Sequence, residues 1–340
     1  MDITLFDYEL PPHYIAQEPS KERDESRLMI LDRKTGNVEH KQFFQLIDYL
    51  NPGDLLVLNN SRVIPARLLG YKKDTGGKVE ALLLNSPSEG HWQALLKPGR
   101  KISPYTEIIF SQELRAVVLQ KDEEQGTFLL ELKTEGNLLK ILHKIGKTPT
   151  PPYIKKNLQN PSAYQTVYAE EDGSIAAPTA GIHFTRKLLN NIEKKGIEII
   201  FLTLHIGRGT FELVRVNQVE NHQMKEELYT ISKENARAIN KALLEKRRVV
   251  GVGTSVTRAL ESAFSEDKVM TGTSWTDLFI YPGYHFKIIN TLITNFHLPR
   301  STPLLLAAAF AGRDNLFKAY EEAIRENYRF YSFGDAMLIS

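Results

Sequence analysis

The spacing of hydrophobic and polar residues predicts alternating strands and helices over most of the chain. Near the start, an apolar strand runs directly into two amide side chains, Asn59 and Asn60. In the second half, helical spacing alternates with β-branched runs, which is typical of a sheet covered by helices on both faces. The predicted elements are strand 26–32, helix 43–50, strand 54–60, helix 185–195, strand 197–204, helix 232–247, strand 248–253, helix 255–264, strand 277–281, helices 303–311 and 314–326, and strand 335–339.

Between these regions the pattern changes to short strands divided by turn residues. Six strands are predicted, near residues 64–71, 78–85, 91–97, 107–110, 113–120 and 127–132, and a short helix follows at 138–145. Evenly spaced short strands without long helical patterns favour a small closed β-barrel. Because the α/β pattern resumes afterwards, we expect an inserted barrel domain at 63–149 within a discontinuous α/β domain at 1–62 and 150–340.

Composition narrows the chemistry. The 340 residues contain no cysteine, which excludes disulfides, thiol nucleophiles and cysteine-held zinc or iron–sulfur sites. The first residues lack the basic start and apolar run of a signal peptide, and the longest apolar stretch, 304–311, is too short to span a bilayer. We therefore expect a cytoplasmic protein without membrane association, and a monomer.

The net charge of +2 is unevenly distributed. Residues 62–156 hold 16 Lys and Arg against 10 Asp and Glu, whereas the remainder holds 27 against 31. Such asymmetry favours a polyanionic partner, although a solvated basic face gives the same pattern. The candidate phosphate-binding residues are Lys97, Arg100, Lys101, Lys147, Lys155 and Lys156, and the nearby Tyr153, Tyr164 and Tyr168 are candidates for base stacking.

Candidate chemistry lies at the ends of predicted strands. The Gly253-Thr254-Ser255 turn opens a helix, so its backbone N–H groups and the helix dipole favour an anion. His183, His205 and His297 each lie beside glycine or proline near an apolar segment, which suits a general base or a three-histidine metal site. Phosphate-binding Walker, dinucleotide-binding, zinc-protease and serine-hydrolase motifs are absent.

Long ordered motifs give the chain a family resemblance. They include LFDYELP from Leu5, LNNSRVIPARL from Leu58, AAPTAGIHFT from Ala176, LTLHIGRGTF from Leu202, FIYPGY from Phe279, TNFHLP from Thr294 and FGDAMLI from Phe333. On these motifs the chain resembles the S-adenosylmethionine:tRNA ribosyltransferase-isomerases of queuosine biosynthesis. The resemblance implies a three-layer α/β/α domain that carries an inserted β-barrel.

The resemblance also implies a reaction. Family members transfer and isomerise the ribosyl part of S-adenosylmethionine onto 7-aminomethyl-7-deazaguanine at the tRNA wobble position. The product is epoxyqueuosine, and adenine and methionine are released. S-adenosylmethionine is then a co-substrate, no metal or other cofactor is needed, and without cysteine the cleavage must be polar. The sulfonium acidifies the neighbouring C5′ protons, so a positioned base is required.

Candidate residues for this reaction come from the motifs and the strand ends. As general base we rank His205 and His297 above His183, and all three above Asp335, because a carboxylate opposite the sulfonium is held in its charged, weaker-base form. The candidate substrate-binding residues are Asn59, Asn60, Arg62, Thr179, Gly181, Gly207, Gly209, Thr254, Ser255, Tyr281 and Gly283.

Two other classes of protein stay open from the sequence. One is a non-catalytic RNA-binding protein that uses the barrel, and the other is a metal-dependent hydrolase built on the three histidines. The chain also departs from the family pattern at Ser162-Ala163, Lys225-Glu226, Val256 and Pro303, which leaves individual roles near these positions open.

Overall fold

The computed structural model describes residues 1–156, 158, 160–211 and 213–340, without the side chains of Thr210 and Phe211. Those two side chains, which belong to the LTLHIGRGTF motif, lie outside the description. The chain divides into two compact units. The larger comprises Met1–Arg62, Pro151–Glu171 and Ala177–Ser340, and the smaller comprises Val63–Thr150 and Asp172–Ala176.

Strands and helices are numbered here in chain order over the described residues. The helices are α1 (Leu138–Ile145), α2 (Arg186–Lys194), α3 (Lys233–Leu244), α4 (Thr254–Ala263), α5 (Thr302–Ala311) and α6 (Arg313–Arg325). The strands are β1 (Arg27–Leu31), β2 (Val38–Gln42), β3 (Leu55–Asn59), β4 (Ser61–Val63), β5 (Arg67–Lys72), β6 (Lys78–Ser88), β7 (His91–Lys97), β8 (Glu107–Ile109), β9 (Leu114–Asp122), β10 (Thr127–Thr134), β11 (Glu171–Ser174), β12 (Glu198–Leu204), β13 (Glu227–Ile231), β14 (Val249–Val252), β15 (Phe264–Ser265), β16 (Lys268–Val269), β17 (Gly272–Thr276), β18 (Thr291–Asn295) and β19 (Ala336–Ile339).

The larger unit is built on a mixed sheet in the order β17-β13-β12-β3-β14-β18-β19-β1-β2. Its centre, β12-β3-β14-β18, is parallel, and β19 runs antiparallel to β18. The central strands are buried along their whole length in β3, β14 and β18, as expected for parallel strands covered on both faces. Packed side chains of strands and helices, among them Leu56, Val250 and Leu188, form one continuous core.

Local sequence explains how the helices begin. The Thr185 hydroxyl accepts from the Leu188 N–H at 3.1 Å, and the Ser232 hydroxyl accepts from the Asn235 N–H at 3.1 Å, so α2 and α3 each start at a capping residue. A helix is also predicted at 43–50, and a 3₁₀ helix occupies Phe43–Tyr49. Within the described ranges, no helix has the length and apolar character that a membrane span requires.

The smaller unit contains a closed antiparallel barrel of six strands in the order β10-β7-β6-β5-β8-β9. Alternate residues of these strands point inward and form a separate apolar core that includes Leu68, Ala81, Ala94 and Leu130. The sequence prediction of a mixed α/β fold that carries a small six-stranded barrel is therefore confirmed.

One predicted strand is wrong, and eight strands of the structure are missing from the prediction. Residues 277–281 form no strand; the strand is β17, directly before them, which pairs with β13 at an exposed edge. β17 has the sequence GTSWT, in which only Trp275 is a large hydrophobic residue, so hydrophobic spacing does not predict a strand there. The apolar segment after it instead turns its backbone inward, where the Leu278 carbonyl accepts from the Arg258 Nε at 2.9 Å. The sequence pattern also gave no strand for β2, β4, β11, β13, β15, β16 or β18.

Candidate active site

Four parallel strands end at one edge of the large sheet. At this edge β3 leads into Asn60, β12 into His205, β14 into Gly253 and β18 into Phe296. Since β19 is antiparallel to β18, Asp335 lies at the same edge, just before β19 begins. In open α/β sheets, ligands bind in the crevice outside the carboxyl ends of such strands.

A cleft with about 520 Å³ of empty space lies at this edge. Its walls combine small, apolar and hydroxyl or amide side chains from seven segments of the larger unit. The lining residues are Tyr153, Ala177, Pro178, Thr179, Ala180, Ile206, Gly253, Thr254, Ser255, Thr294, Asn295, His297, Pro303, Tyr331 and Ser332.

The N-terminus of α4 forms one wall of the cleft. Gly253 precedes the helix at φ +90°, a conformation that favours glycine, and within the described chain no side chain caps this helix. The first-turn N–H groups and the positive end of the helix dipole are thus available for an anion. The Ser255 hydroxyl is fixed beside them because it accepts from the Asn59 Nδ2 at 3.2 Å.

Asn59 connects the segments that support this wall of the cleft. Its Nδ2 also donates to the Leu204 carbonyl at 3.0 Å, and its Oδ1 accepts from the N–H groups of Leu204 at 3.1 Å and Ser61 at 3.0 Å. The side chain is fully buried and does not line the cleft. We infer that Asn59 ties β3, β12 and α4 together and supports the ligand site from behind.

His297 lines the cleft on a rigid backbone. Its N–H donates to the Tyr320 hydroxyl at 3.0 Å, and its carbonyl accepts from the Tyr8 hydroxyl. Its ring Nε2 lies 2.8 Å from the Thr294 hydroxyl, and Nδ1 has no hydrogen-bond partner among the residues that the structure describes. One ring nitrogen is thus anchored while the other is left for a ligand.

His183 occupies a different position, behind the cleft. The Asn295 Nδ2 donates to His183 Nε2 at 3.1 Å, so the ring proton is on Nδ1 and is donated to the Ser26 hydroxyl at 2.7 Å. The Asn295 Oδ1 in turn accepts from the Thr179 hydroxyl at 2.9 Å. Both ring nitrogens of His183 are therefore engaged, and their effect is to orient the Asn295 amide in the cleft wall.

Both histidines are kept neutral. Burial lowers the pKa of His297 to about 3, and burial, with Arg329 and Arg23 nearby, lowers the pKa of His183 to about 3. The folded protein therefore leaves both rings unprotonated between pH 3 and 6.5, whereas the unfolded chain protonates them. The stability that the two neutral histidines contribute is fully present above pH 6.5 and is lost as the pH falls through this window.

This difference predicts an acid-sensitive fold. Below pH 6.5 the free energy of unfolding should fall by about 1.4 kcal/mol per pH unit for each histidine. Urea unfolding at pH 7.5, 6.0 and 5.0 measures how steeply the free energy of unfolding falls with pH. In a His183→Asn variant this slope should be shallower by the contribution of one histidine, about 1.4 kcal/mol per pH unit. An unfolding free energy that is constant between pH 7.5 and 5.0 would contradict this account.

Glu227 and Arg258 form a buried ion pair near the N-terminal half of α4. The side chains of Glu227 and Arg258 are 2 % and 6 % exposed and contact each other directly. The other Glu227 oxygen accepts from the Gly207 N–H at 2.7 Å, and the Arg258 Nη2 donates to the Thr276 carbonyl at 3.2 Å. This pair joins the loop after β12 to α4 and to the end of β17.

Arg258 also lines a second cavity, here called the annex, with about 310 Å³ of empty space. Thr254, Ser255 and Pro303 line both the annex and the cleft, so the two spaces share the α4 N-terminus as a wall. The remaining annex residues are mainly apolar: Met224, Leu278, Phe279, Ile280, Thr302 and Leu306.

The structure brings only part of the predicted site into the cleft. Of the predicted base candidates, His297 lines it, and of the predicted binding residues, Thr179, Thr254 and Ser255 do. His205 directly precedes the lining residue Ile206 and is half-buried. Asp335 is buried behind the wall; burial raises its pKa, and its oxygens accept from the N–H groups of Arg27 at 3.0 Å and Arg329 at 2.7 Å.

The other predicted binding residues lie outside both the cleft and the annex and have structural partners or exposed positions. Asn60 accepts from the Thr203 hydroxyl at 2.7 Å, and Arg62 donates to the Ala169 carbonyl at 2.6 Å. A side chain at Gly181 would collide with the Tyr168 hydroxyl, and one at Gly209 would press on Lys225. Tyr281 packs against Phe279, and Gly283 is exposed at φ +104°.

Several lining residues were not identified from the sequence. Thr294 and Asn295 lie in the same motif as His297, and Tyr331 and Ser332 directly precede the motif that holds Asp335; this proximity is the signal that could have found them. Tyr153 was considered for base stacking, but its ring packs against Tyr331 at a centroid distance of 4.0 Å and lines the cleft. The same expectation is wrong for Tyr164 and Tyr168, whose side chains are buried.

The predicted basic residues are mostly on the surface. Lys97, Arg100 and Lys101 are exposed at one turn of the barrel, and Lys147 pairs by its backbone with Arg67 in the same unit. In the larger unit Lys155 and Lys156 are exposed, and Lys156 forms an ion pair with Glu18 at 3.1 Å.

The three histidines do not form the metal site that the sequence left open. Over the described ranges, no group of three or more His, Asp or Glu side chains is placed to hold a metal ion. His183 and His297 instead bond to amide and hydroxyl groups. The residues of the cleft therefore suit an organic ligand held by hydrogen bonds and a helix N-terminus.

Comparisons with known proteins agree with one another. A family model described as "Queuosine biosynthesis protein" matches residues 3–339. The chain is 51 % identical over 336 residues, 98 % of each chain, to a Clostridioides difficile (strain 630) protein named S-adenosylmethionine:tRNA ribosyltransferase-isomerase. It is also similar to a crystal structure of S-adenosylmethionine tRNA ribosyltransferase from Thermotoga maritima, with 39 % identity, a TM-score of 0.58, and coverage of 99 % of this chain and 100 % of that one.

Proposed function

Because this chain belongs to the family of queuosine biosynthesis proteins, we propose that it is a transferase acting on S-adenosylmethionine and tRNA. It moves and isomerises the ribosyl part of S-adenosylmethionine onto 7-aminomethyl-7-deazaguanine at the wobble position and releases adenine and methionine. The observation that carries the proposal is the cleft at the carboxyl ends of the parallel strands, which unites a free helix N-terminus with a neutral histidine.

The two cavities suit the two halves of S-adenosylmethionine. The methionine carboxylate binds the N–H groups at the start of α4, a wall that both cavities share. The methylene groups of its methionine side chain lie against the apolar residues of the annex, beside Leu306 and Phe279. The adenosine then occupies the main cleft, where Thr179 and Asn295 present hydroxyl and amide groups to the ribose or the purine.

His297 is the best-placed base for the C5′ proton. When its Nε2–H donates to Thr294, the lone pair is on Nδ1, which is free for the ligand. Burial keeps this ring neutral at working pH but also lowers its basicity, so the assignment rests on the position of the ring in the cleft and not on its pKa. The same burial makes the imidazolium costly, and the proton is passed on to the departing adenine, which needs one.

The basic barrel turn provides the contact with tRNA phosphates. Lys97, Arg100 and Lys101 are exposed and form no ion pair within the described part of the chain. Their neutralisation of phosphates releases counterions and makes binding depend on salt. We propose that the protein acts in the cytoplasm, on tRNA, and as a monomer.

The fate of the tRNA tests the proposed function. Purified protein is incubated with S-adenosylmethionine and tRNA carrying the aminomethyl-deazaguanine, and the nucleosides are analysed by mass spectrometry. Epoxyqueuosine should appear in this tRNA and not in the same tRNA with guanine at the wobble position. A tRNA that binds but remains unmodified would favour the alternative, a non-catalytic RNA-binding protein.

The basic turn gives a second prediction. In a Lys97→Ala/Arg100→Ala/Lys101→Ala variant, tRNA affinity should fall, and the slope of log affinity against log salt should become shallower by about 2 to 3. S-adenosylmethionine affinity should not change. The matched control, Lys121→Ala/Lys133→Ala/Lys144→Ala, removes three barrel charges that are already paired with Glu123, Glu131 and Glu113. Equal salt slopes for the two variants would contradict the assignment.

A further inference from the structure

Residues 97–106, from the last residue of β7 to the residue before β8, are here called the basic loop. Ile102 anchors it, because this side chain is 2 % exposed in the barrel core. The cations on either side of Ile102, Lys97, Arg100 and Lys101, are exposed. The Lys72 ammonium donates to the Lys101 carbonyl and adds a fourth positive charge. The loop is thus fixed from inside while its charges face solvent.

Tyr105 is the unusual residue of this loop. Its side chain is 81 % exposed, far more than Tyr71 on the same barrel at 47 %. Its backbone has φ +66°, a left-handed conformation that costs a residue other than glycine of order 1 kcal/mol. No ring–ring contact to Tyr105 is found among the described residues. Packing in the barrel therefore does not account for this tyrosine.

The backbone around Tyr105 is held firmly. The Tyr105 N–H donates to the Val118 carbonyl at 2.6 Å, and the Val118 N–H donates to the Thr106 carbonyl at 3.1 Å. The Thr106 hydroxyl donates to the Ser103 carbonyl at 2.7 Å. An aromatic ring on a fixed backbone loses little conformational entropy when a flat ligand stacks on it.

We propose that Tyr105 is a stacking platform for an unpaired base of the RNA substrate, and that the cations of the basic loop bind the adjoining phosphates. This inference rests on the proposed function, since it takes tRNA as the ligand. Unpaired bases of RNA loops stack on aromatic side chains, and flanking cations follow the backbone. A fully paired helix offers no free base face, so the proposal commits to a single-stranded part of the tRNA.

The test compares four variants for tRNA binding, measured as fluorescence anisotropy over a range of salt. Tyr105→Ala should bind about 5- to 150-fold more weakly, the range for loss of one stacked base. Tyr105→Asn, which tolerates the left-handed backbone, should lose as much, which separates the ring from the conformation. Tyr105→Phe should bind like the unaltered protein, and Tyr71→Ala is the exposed-aromatic control.

The salt dependence separates stacking from charge. Tyr105→Ala should keep the salt slope of the unaltered protein, because it removes no cation. Its KM for tRNA should rise while its affinity for S-adenosylmethionine and its thermal midpoint stay unchanged. Such a split would not follow from a general loss of barrel structure.

Three outcomes would overturn the inference. They are binding within twofold by Tyr105→Ala, an equal loss in Tyr105→Phe, and an equal loss in Tyr71→Ala. If instead the unaltered protein fails to bind tRNA, the proposed function itself fails, and that result is visible before any variant is compared.

Discussion

Replacement of His297 by alanine should reduce the single-turnover rate of adenine release by about 10²- to 10⁴-fold, the usual contribution of a general base. The ring lines the cleft, is held by Thr294 at 2.8 Å and stays neutral because its pKa is lowered to about 3. Rapid-quench measurement at saturating substrates isolates this step. The acid limb of the rate should not lie near pH 6.5, where an exposed histidine titrates.

Several variants keep this prediction specific. His285→Ala removes an exposed histidine from the same unit and should leave the rate unchanged. Equilibrium binding of S-adenosylmethionine shows whether His297→Ala and His297→Asn remain folded with an intact site. Thr294→Val frees the anchored ring nitrogen and should lower the rate by a smaller factor. If His297→Asn keeps a near-normal rate and His205→Asn does not, the base is His205.

Among the substitutions considered, removal of the Glu227 carboxylate should cause the largest decrease in the free energy of unfolding. In Glu227→Ala the Arg258 guanidinium stays buried without its charge partner, which typically costs about 3 to 5 kcal/mol. The Gly207 N–H also loses its acceptor. Urea unfolding at pH 7.5 measures the change, with Glu123→Ala as control, since that carboxylate forms an exposed ion pair with Lys121 worth less than about 1 kcal/mol.

A double variant distinguishes the charge from the packing. Glu227→Leu/Arg258→Met removes both charges together and should recover much of the lost stability. Because Arg258 lines the annex, the double variant should still bind S-adenosylmethionine less tightly than the unaltered protein. A Glu227→Ala protein as stable as the Glu123→Ala control would contradict a structural role for the pair.

Elements with a clear local pattern could be predicted from the sequence. The barrel strands are short, apolar on one face and separated by turns, and α2 and α3 have capping residues at their starts. β17 could not be predicted, because a strand at an exposed edge needs no apolar face. β13 has buried and half-buried residues in alternation, but its five residues include Glu227, whose burial depends on Arg258 far along the chain.

The candidate site was harder to predict for a similar reason. The sequence placed three histidines at element ends, but it could not tell which ring nitrogens find partners. Only the fold brings Ser26 and Asn295 to either side of His183, and only the fold places His297 in the cleft wall with Nε2 beside the Thr294 hydroxyl. Likewise the strand-end position of Asn59 predicts a binding residue. In the structure its side chain is buried and donates to the Ser255 hydroxyl, so it supports the site without lining it.

The stoichiometry of the released products tests the central claim most directly. The purified protein is mixed with S-adenosylmethionine labelled in both adenine and methionine, with and without tRNA that carries the aminomethyl-deazaguanine. We expect adenine and methionine in equal amounts, one of each per modified tRNA, and neither without that tRNA. Release of either product from S-adenosylmethionine alone, or of methionine without adenine, would contradict the account.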